Sequence, residues 1–425
     1  MPRARLAGVL MGLVVLRGAT AATPAPVGAR RVAPILRELI LLLQGPATAV
    51  KGTPALCGDT GPDAGTAAWY FGEGGCALEY PPSVTSMVTS VSLGDLKPVL
   101  SAPGVTRRTQ ELLDELALSV GTAGLGLQDK LAAHTTAWEL VYGMERTGER
   151  DPAWARQAAP LLCQAAKVLR STSFRPEEAA RLPANVGDLP RLAGLSEIAD
   201  LAGGLVRHDP GIVEVVPSTD LHADLLFGRF TARVFVTSTR VEERDRLLRF
   251  LSDATTPYGA LRALPQKFEG IQGILLLFFN VLTEDRKVLL TSQVAVWQQY
   301  TFEGQVPIDQ PFAEAAKRIR FLTVEFQRDP ERPGAEPRYR KVAANEMATQ
   351  GLLNVKPLRA GAWVTTSRGQ CLKCHVHQVA TFDTHGHRQV AFAAPLVRPA
   401  ADVVTPYYRA NVEARLQRLD AGCAP

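Results

Sequence analysis

From residue 274 to residue 297 the chain reads ILLLFFNVLTEDRKVLLTSQVAVW, and this stretch carries the strongest signal for the fold. It contains two apolar runs rich in β-branched and aromatic side chains, 274–282 and 288–297, separated by the charged pentapeptide 283–287. Runs of this length and composition are typical of β-strands, and a short polar connection between two of them indicates a hairpin. The sequence therefore predicts an antiparallel β-hairpin with a charged turn.

Further elements of the same kind lie on either side of this hairpin. Residues 230–237 alternate between apolar and polar side chains, which predicts a half-buried strand. Residues 242–251 and 407–419 have helical spacing. A second hairpin is predicted from 319–326 and 339–343, which flank a loop rich in proline and glycine. The C-terminal half is therefore predicted to be α+β with an antiparallel sheet.

The region before these strands is dominated by helical periodicity, from 106 to 205. Its apolar side chains recur at intervals of three and four residues, as in Leu112, Leu113, Leu116 and Val120, and again in Leu131, Trp138, Val141 and Tyr142. His134 lies on the apolar face of the second segment and is interpreted as a core residue. The predicted fold class is α+β, with an N-terminal α-helical region followed by an antiparallel β-rich domain.

The first 21 residues have the pattern of a secretory signal peptide. Arg3 and Arg5 give a basic start, residues 6–16 are apolar, and Ala19-Thr20-Ala21 offers a cleavage site of small residues. The apolar run is shorter than the roughly 20 residues that a membrane-spanning helix needs. The sequence predicts export to the periplasm or secretion, with no stable membrane span after cleavage.

The charge of the chain argues against binding to nucleic acid. Residues 1–21 carry three arginines and no acidic residue, so their removal lowers the formal net charge from +5 to +2. Basic residues elsewhere are interleaved with acids, as between Arg240 and Arg249, which is typical of a solvated helix face. We therefore expect no nucleic-acid partner.

The motif that carries chemistry is Cys371-Leu372-Lys373-Cys374-His375, a C-x-x-C-H signature of c-type haem attachment. Two thiols three residues apart can each add to one vinyl group of a porphyrin. The adjacent histidine can then bind the iron as its proximal ligand. The motif predicts one covalent haem c, with Cys371 and Cys374 as anchors and His375 as the iron ligand.

The other four of the six cysteines form an even set, as disulfides in an oxidising compartment require. Cys57 and Cys76 bracket a glycine-rich loop, so their pairing is favoured, and Cys163 then pairs with Cys423 by elimination.

In these five residues the chain resembles c-type cytochromes. It differs from the common small cytochromes c because its motif lies late in the chain and no methionine follows Met347. A late motif on a β-rich domain without a downstream methionine is similar to the cytochrome P460 and β-type cytochrome c′ group. The resemblance implies thioether bonds at Cys371 and Cys374 and proximal ligation by His375.

Two other uses of the motif are open. The two thiols could form a redox-active dithiol, although the βαβ context of thioredoxin-like folds is not evident. They could also form a zinc or copper site together with histidines of the same region, which are His375, His377, His385 and His387.

The sixth iron ligand determines whether the haem carries electrons or binds small molecules. The candidate distal ligand is His385 or His387, in a predicted turn between strands at 378–382 and 389–393. His377 is too close in sequence to the proximal ligand, and Met347 is interpreted as a core residue. A five-coordinate iron is the alternative.

The predicted organisation is a signal peptide (1–21), a linker and disulfide-closed loop region (22–105), an α-helical domain (106–205), a β-rich haem c domain (211–400) and a C-terminal helix and tail (401–425). The predicted function is electron transfer by an exported mono-haem c-type cytochrome, with a redox partner protein docking on the helical domain. The alternatives are a haem c enzyme or a gas or redox sensor with an open iron position, acting on peroxide, nitrogen oxides or diatomic ligands.

Overall fold

The computed structural model describes residues 32–44, 96–121, 125–216, 230–253, 264–307, 309–327, 338–342, 389–391 and 406–423. These residues form helices and an antiparallel sheet, which confirms the α+β class.

The helices that precede the first described strand pack into one apolar core. They are α1 (Val32–Gln44), α2 (Lys97–Leu100), α3 (Val105–Val120), α4 (Leu127–Arg150), α5 (Pro152–Ser171), α6 (Pro176–Ala180), α7 (Leu189–Ala193) and α8 (Ala199–Arg207). The boundary between α4 and α5 follows from local chemistry. Pro152 begins α5, where its missing amide hydrogen costs nothing, and the Asp151 carboxylate accepts a hydrogen bond from the Trp154 amide at 3.0 Å.

Seven described strands form one sheet in the order β6-β5-β4-β3-β2-β1-β7, and every neighbouring pair is antiparallel. They are β1 (Val213–Val216), β2 (Phe230–Ser238), β3 (Ile271–Leu282), β4 (Val288–Phe302), β5 (Ile319–Gln327), β6 (Arg338–Val342) and β7 (Gln389–Ala391). The helices of this part are α9 (Val241–Ser252), α10 (Leu264–Lys267), α11 (Phe312–Lys317) and α12 (Pro406–Gly422).

Both predicted hairpin pairings are confirmed. In the β3–β4 hairpin Leu282 lies opposite Val288, and the turn is closed by a 2.9 Å hydrogen bond from the Thr283 amide to the Lys287 carbonyl. Strands β5 and β6 pair from Thr323 opposite Val342 onwards. Helix α9 is also confirmed, and β3 and β4 are longer than the apolar pattern predicted.

The central strands are buried on both faces. Helices α1–α8 and α12 contribute to the larger core cluster together with residues of β2–β6, and a second cluster lies beneath α9 around Leu247 and Leu251. Continuous apolar runs are expected for strands that are covered on both sides. The prediction of one solvated face for β2 was wrong, because Arg233 and Thr237 on that face are buried.

The sheet leaves no room for a side chain at Gly273. This residue lies opposite Tyr300, and a Cβ at position 273 would overlap the tyrosine ring. We expect Gly273→Ala to lower the free energy of unfolding by about 1–3 kcal/mol, since the ring would have to leave its packed position. Denaturant titration measures this, with Gly121→Ala as control. Gly121 has helical φ and ordinary contacts, so its replacement should not destabilise.

Helix α12 is fixed to the rest of the molecule by covalent and ionic contacts. Cys423 forms a disulfide with Cys163 of α5, with a Cα–Cα distance of 5.3 Å, which confirms this predicted pairing. The Asp420 carboxylate accepts hydrogen bonds from Arg286 at 2.7 Å and from Arg170 at 2.9 Å. The other predicted pair, Cys57 with Cys76, lies outside the described residues.

Candidate functional site

The predicted haem motif lies in the chain between β6 and β7, which occupy opposite edges of the sheet. Cys371, Cys374 and His375, and the distal candidates His385 and His387, are outside the described residues. His222, His377 and Met347 are outside them as well. Within the described residues, no group of three or more His, Cys, Asp or Glu side chains is arranged to hold a metal ion.

The described strand that follows the motif is β7, which pairs with β1. Its residue Ala391 lies opposite Glu214, and Glu214 forms a buried ion pair with Arg233 of β2. Both hydrogen bonds of the pair, Nε to Oε1 and Nη2 to Oε2, measure 2.7 Å. The contact is therefore a bidentate, charge-assisted pair next to the strand that continues from the motif.

The environment of this pair is apolar. Arg233 and Glu214 are 2% and 4% exposed, and the guanidinium carbon lies 5.4 Å from the Phe235 ring centroid and 5.9 Å from that of Phe278. Such rings attract a cation through their electron-rich faces. Removing two charges from water is costly, and the bidentate geometry offsets that cost only while both partners are present.

Sequence reasoning missed this pair, because Arg233 occupies a polar position of an alternating strand. A usable signal was nevertheless present: Glu214 is the single charged residue within the run Ile212–Val216, which is otherwise aliphatic. An acid in such a run needs a base on a neighbouring strand if it is buried.

His134 connects the helices to the β3–β4 hairpin. The Leu282 amide donates to Nε2 at 3.0 Å, so Nδ1 carries the proton and donates to the Thr172 hydroxyl at 3.2 Å. The imidazole also makes edge contacts with the rings of Trp138 and Phe174. Both nitrogens have partners, which confirms the interpretation of His134 as a core residue.

Burial holds the His134 imidazole in its neutral form. It lowers the pKa to about 3 from the usual 6.5, and the positive charges of Arg286 and Lys130 act in the same direction. A protonated ring could not accept the amide hydrogen of Leu282. Protonation would therefore disrupt the contact that joins α4 to the end of β3.

We expect acid to destabilise the protein through His134. Below pH 6.5 the unfolded chain binds a proton at this residue and the folded chain does not, until the pH approaches 3. As the pH falls through this window, His134 alone should lower the free energy of unfolding by about 1.4 kcal/mol per pH unit. Above pH 6.5 its contribution to stability has its full value. Denaturant titrations at pH 7, 6, 5 and 4 measure the slope.

The variant His134→Gln can still accept the Leu282 amide and has no proton to bind, so its stability should depend less on pH by this amount. His208→Asn is the matched control, because His208 is an exposed residue with φ of 57° at the end of α8. Parallel pH profiles for the wild type and His134→Gln would contradict the assignment.

None of the described helices is both long and apolar enough to cross a membrane. Comparison with models of protein families, with curated proteins and with solved structures finds no match to this chain.

Proposed function

We propose that the chain is an exported haem protein that carries one haem c, attached through Cys371 and Cys374, with His375 as the proximal iron ligand. The observation that carries this proposal is the C-x-x-C-H motif. Its donor set fits the group: two thiols at the spacing of the porphyrin vinyls and an adjacent imidazole for iron. When bound, the group supplies a one-electron couple, and the chain positions and buries it.

We also propose that the protein is exported from the cytoplasm. A signal peptide at 1–21 would deliver the chain to the periplasm or outside the cell, where thioether attachment takes place. The Cys163–Cys423 disulfide supports this location, because structural disulfides persist in oxidising compartments and are rare in reducing ones.

The proposed activity is electron transfer to or from a redox partner protein. In this proposal the haem domain spans 211–400, and the helical domain at 106–205 provides the docking surface. His385 or His387 would be the distal ligand, since no methionine follows Met347. A histidine pair at the iron gives a lower reduction potential than a histidine and methionine pair.

The attachment is tested by expressing the chain together with c-type maturation machinery. A pyridine haemochrome spectrum and the mass of the denatured protein should show one covalent haem per chain. The variant Cys371→Ser/Cys374→Ser should lose it. The matched control, Cys163→Ser/Cys423→Ser, removes the same number of cysteines and should keep the haem.

A colourless polypeptide without porphyrin mass would overturn the proposal. Stoichiometric zinc or copper in that polypeptide, measured by plasma mass spectrometry, would instead support a Cys/His metal site.

Carbon monoxide distinguishes the electron carrier from a haem enzyme or sensor. With a histidine at the distal position, the Soret band of the reduced protein should not change when the gas is added, and it should shift in the variant that lacks that histidine. The variants are His385→Ala and His387→Ala. A large shift in the unmodified protein would favour an open iron position, with peroxide, nitrogen oxides or diatomic gases as ligands.

A further inference from the structure

A cavity of about 210 Å³ lies where helices α4, α5 and α12 meet. The first two helices approach each other closely at this point because Gly148 has no side chain. A Cβ on Gly148 would lie 2.9 Å from the Cβ of Ala155. The apolar part of the lining comes from Met144, Trp154 and Leu162.

Two acids and two bases also line the cavity, and they are not equivalent. Glu149 and Arg415 bind each other at 2.5 Å, and Arg415 also lies 5.5 Å from the centroid of the Tyr142 ring. The side chains of Glu145 and Arg418, in contrast, make no hydrogen bond to another residue that the structure describes, and they act on each other only through their opposite charges. One carboxylate and one guanidinium in the same cavity therefore have free hydrogen-bonding capacity.

Glu145 is the more constrained of the two. Burial raises the pKa of its carboxyl, and the negative charge of Glu149 acts in the same direction, whereas the positive charges of Arg415 and Arg418 offset part of the effect. A half-buried carboxylate without a hydrogen-bond donor is poorly solvated. A cationic N–H donor would replace the stabilisation that water gives to an exposed carboxylate. Arg418 is exposed at the rim and can donate two hydrogen bonds to a carboxylate in the bidentate geometry that guanidinium groups favour.

We propose that this cavity binds a free amino acid with an apolar side chain. Its ammonium group would contact Glu145, its carboxylate would contact Arg418, and its side chain would pack against Met144, Trp154 and Leu162. The four charged groups of the cavity sum to zero, so a ligand with one charge of each sign adds no net charge. A volume of 210 Å³ equals about seven water molecules at about 30 Å³ each, which suits a ligand the size of valine or leucine.

The residues that line the cavity are not those of the haem motif, so binding can be measured without any haem signal. Isothermal titration calorimetry of the full mature protein compares three probes with the same isobutyl side chain. L-leucine has both charges, isopentylamine lacks the carboxylate, and 4-methylpentanoate lacks the amine. We expect L-leucine to bind at least about tenfold more tightly than either analogue, because each analogue leaves one charged group of the cavity unpaired.

Variants assign the two contacts. Glu145→Gln and Arg418→Gln should each weaken L-leucine binding by about tenfold or more. The matched controls, Glu177→Gln and Arg156→Gln, change exposed residues outside the cavity and should bind as the wild type does. Thermal midpoints establish that all four variants are folded.

Three results would overturn the proposal. One is no heat of binding with L-leucine up to about 10 mM, a concentration that would saturate a millimolar site. Another is binding of the amine or the acid as tight as that of L-leucine, which would indicate a site for a single charge. The third is equal affinity in the cavity variants and their controls.

Discussion

Replacing Cys163 and Cys423 together with serine is expected to lower the free energy of unfolding by about 5 kcal/mol. The disulfide joins residues 260 positions apart, so its loss gives the unfolded chain a large increase in conformational freedom. In the chain-entropy model the stabilisation grows with the logarithm of the loop length, which places this bond near the upper end of the usual range. The folded state should change little, because Leu416 and Leu419 of α12 are buried and Asp420 binds two arginines.

Denaturant titration of the oxidised protein and the double variant measures this effect. In the presence of a reducing agent, the wild type and the double variant should have the same stability. A loss below about 1 kcal/mol would mean that the unfolded chain is restrained by other means. Release of α12 in the folded variant, detected as faster proteolysis, would contradict the assignment of the effect to the unfolded state.

Glu214→Gln is expected to destabilise the protein by about 3–5 kcal/mol, because it leaves the Arg233 guanidinium buried with a neutral partner. The pair is only 2% and 4% exposed, so water cannot replace the lost carboxylate. Thermal and denaturant unfolding at neutral pH would report the loss. A cost below about 1 kcal/mol would show that solvent reaches the pair.

The control for this experiment removes both charges. Glu214→Leu/Arg233→Met should recover most of the lost stability, since replacing a whole buried pair with apolar side chains is often neutral or stabilising. If the double variant is as unstable as Glu214→Gln, shape rather than charge is what the site requires.

The predictable part of the fold came from strong periodic signals. The runs at 274–282 and 288–297 are long, apolar and separated by charges, so they could form little else than a hairpin. Helix α9 was predictable from its amphipathic spacing. The Cys163–Cys423 bond was inferred by counting cysteines, and the structure contains it.

Other features depend on tertiary contacts that no local pattern encodes. Strand β1 has four residues, too few to give a periodic signal, and it exists because it pairs with β2 and β7. Arg233 was assigned to a solvated face because alternation cannot report that both faces of a strand are covered. The cavity charges Glu145 and Arg418 come from helices far apart in sequence. The C-x-x-C-H assignment stays a prediction, because it rests on the sequence motif.

The strand order also delays the completion of folding. Strand β1 pairs with β7, so Glu214 can pair with Ala391 only after most of the chain has been synthesised. The Cys163–Cys423 disulfide can form only later, when Cys423 has been synthesised. During synthesis, the early helices have no hairpin to cover them. Topologies with such distant pairings fold slowly, and exposed apolar surface in the interval favours aggregation. The protein should therefore depend on holding chaperones during biogenesis more than its final stability would suggest.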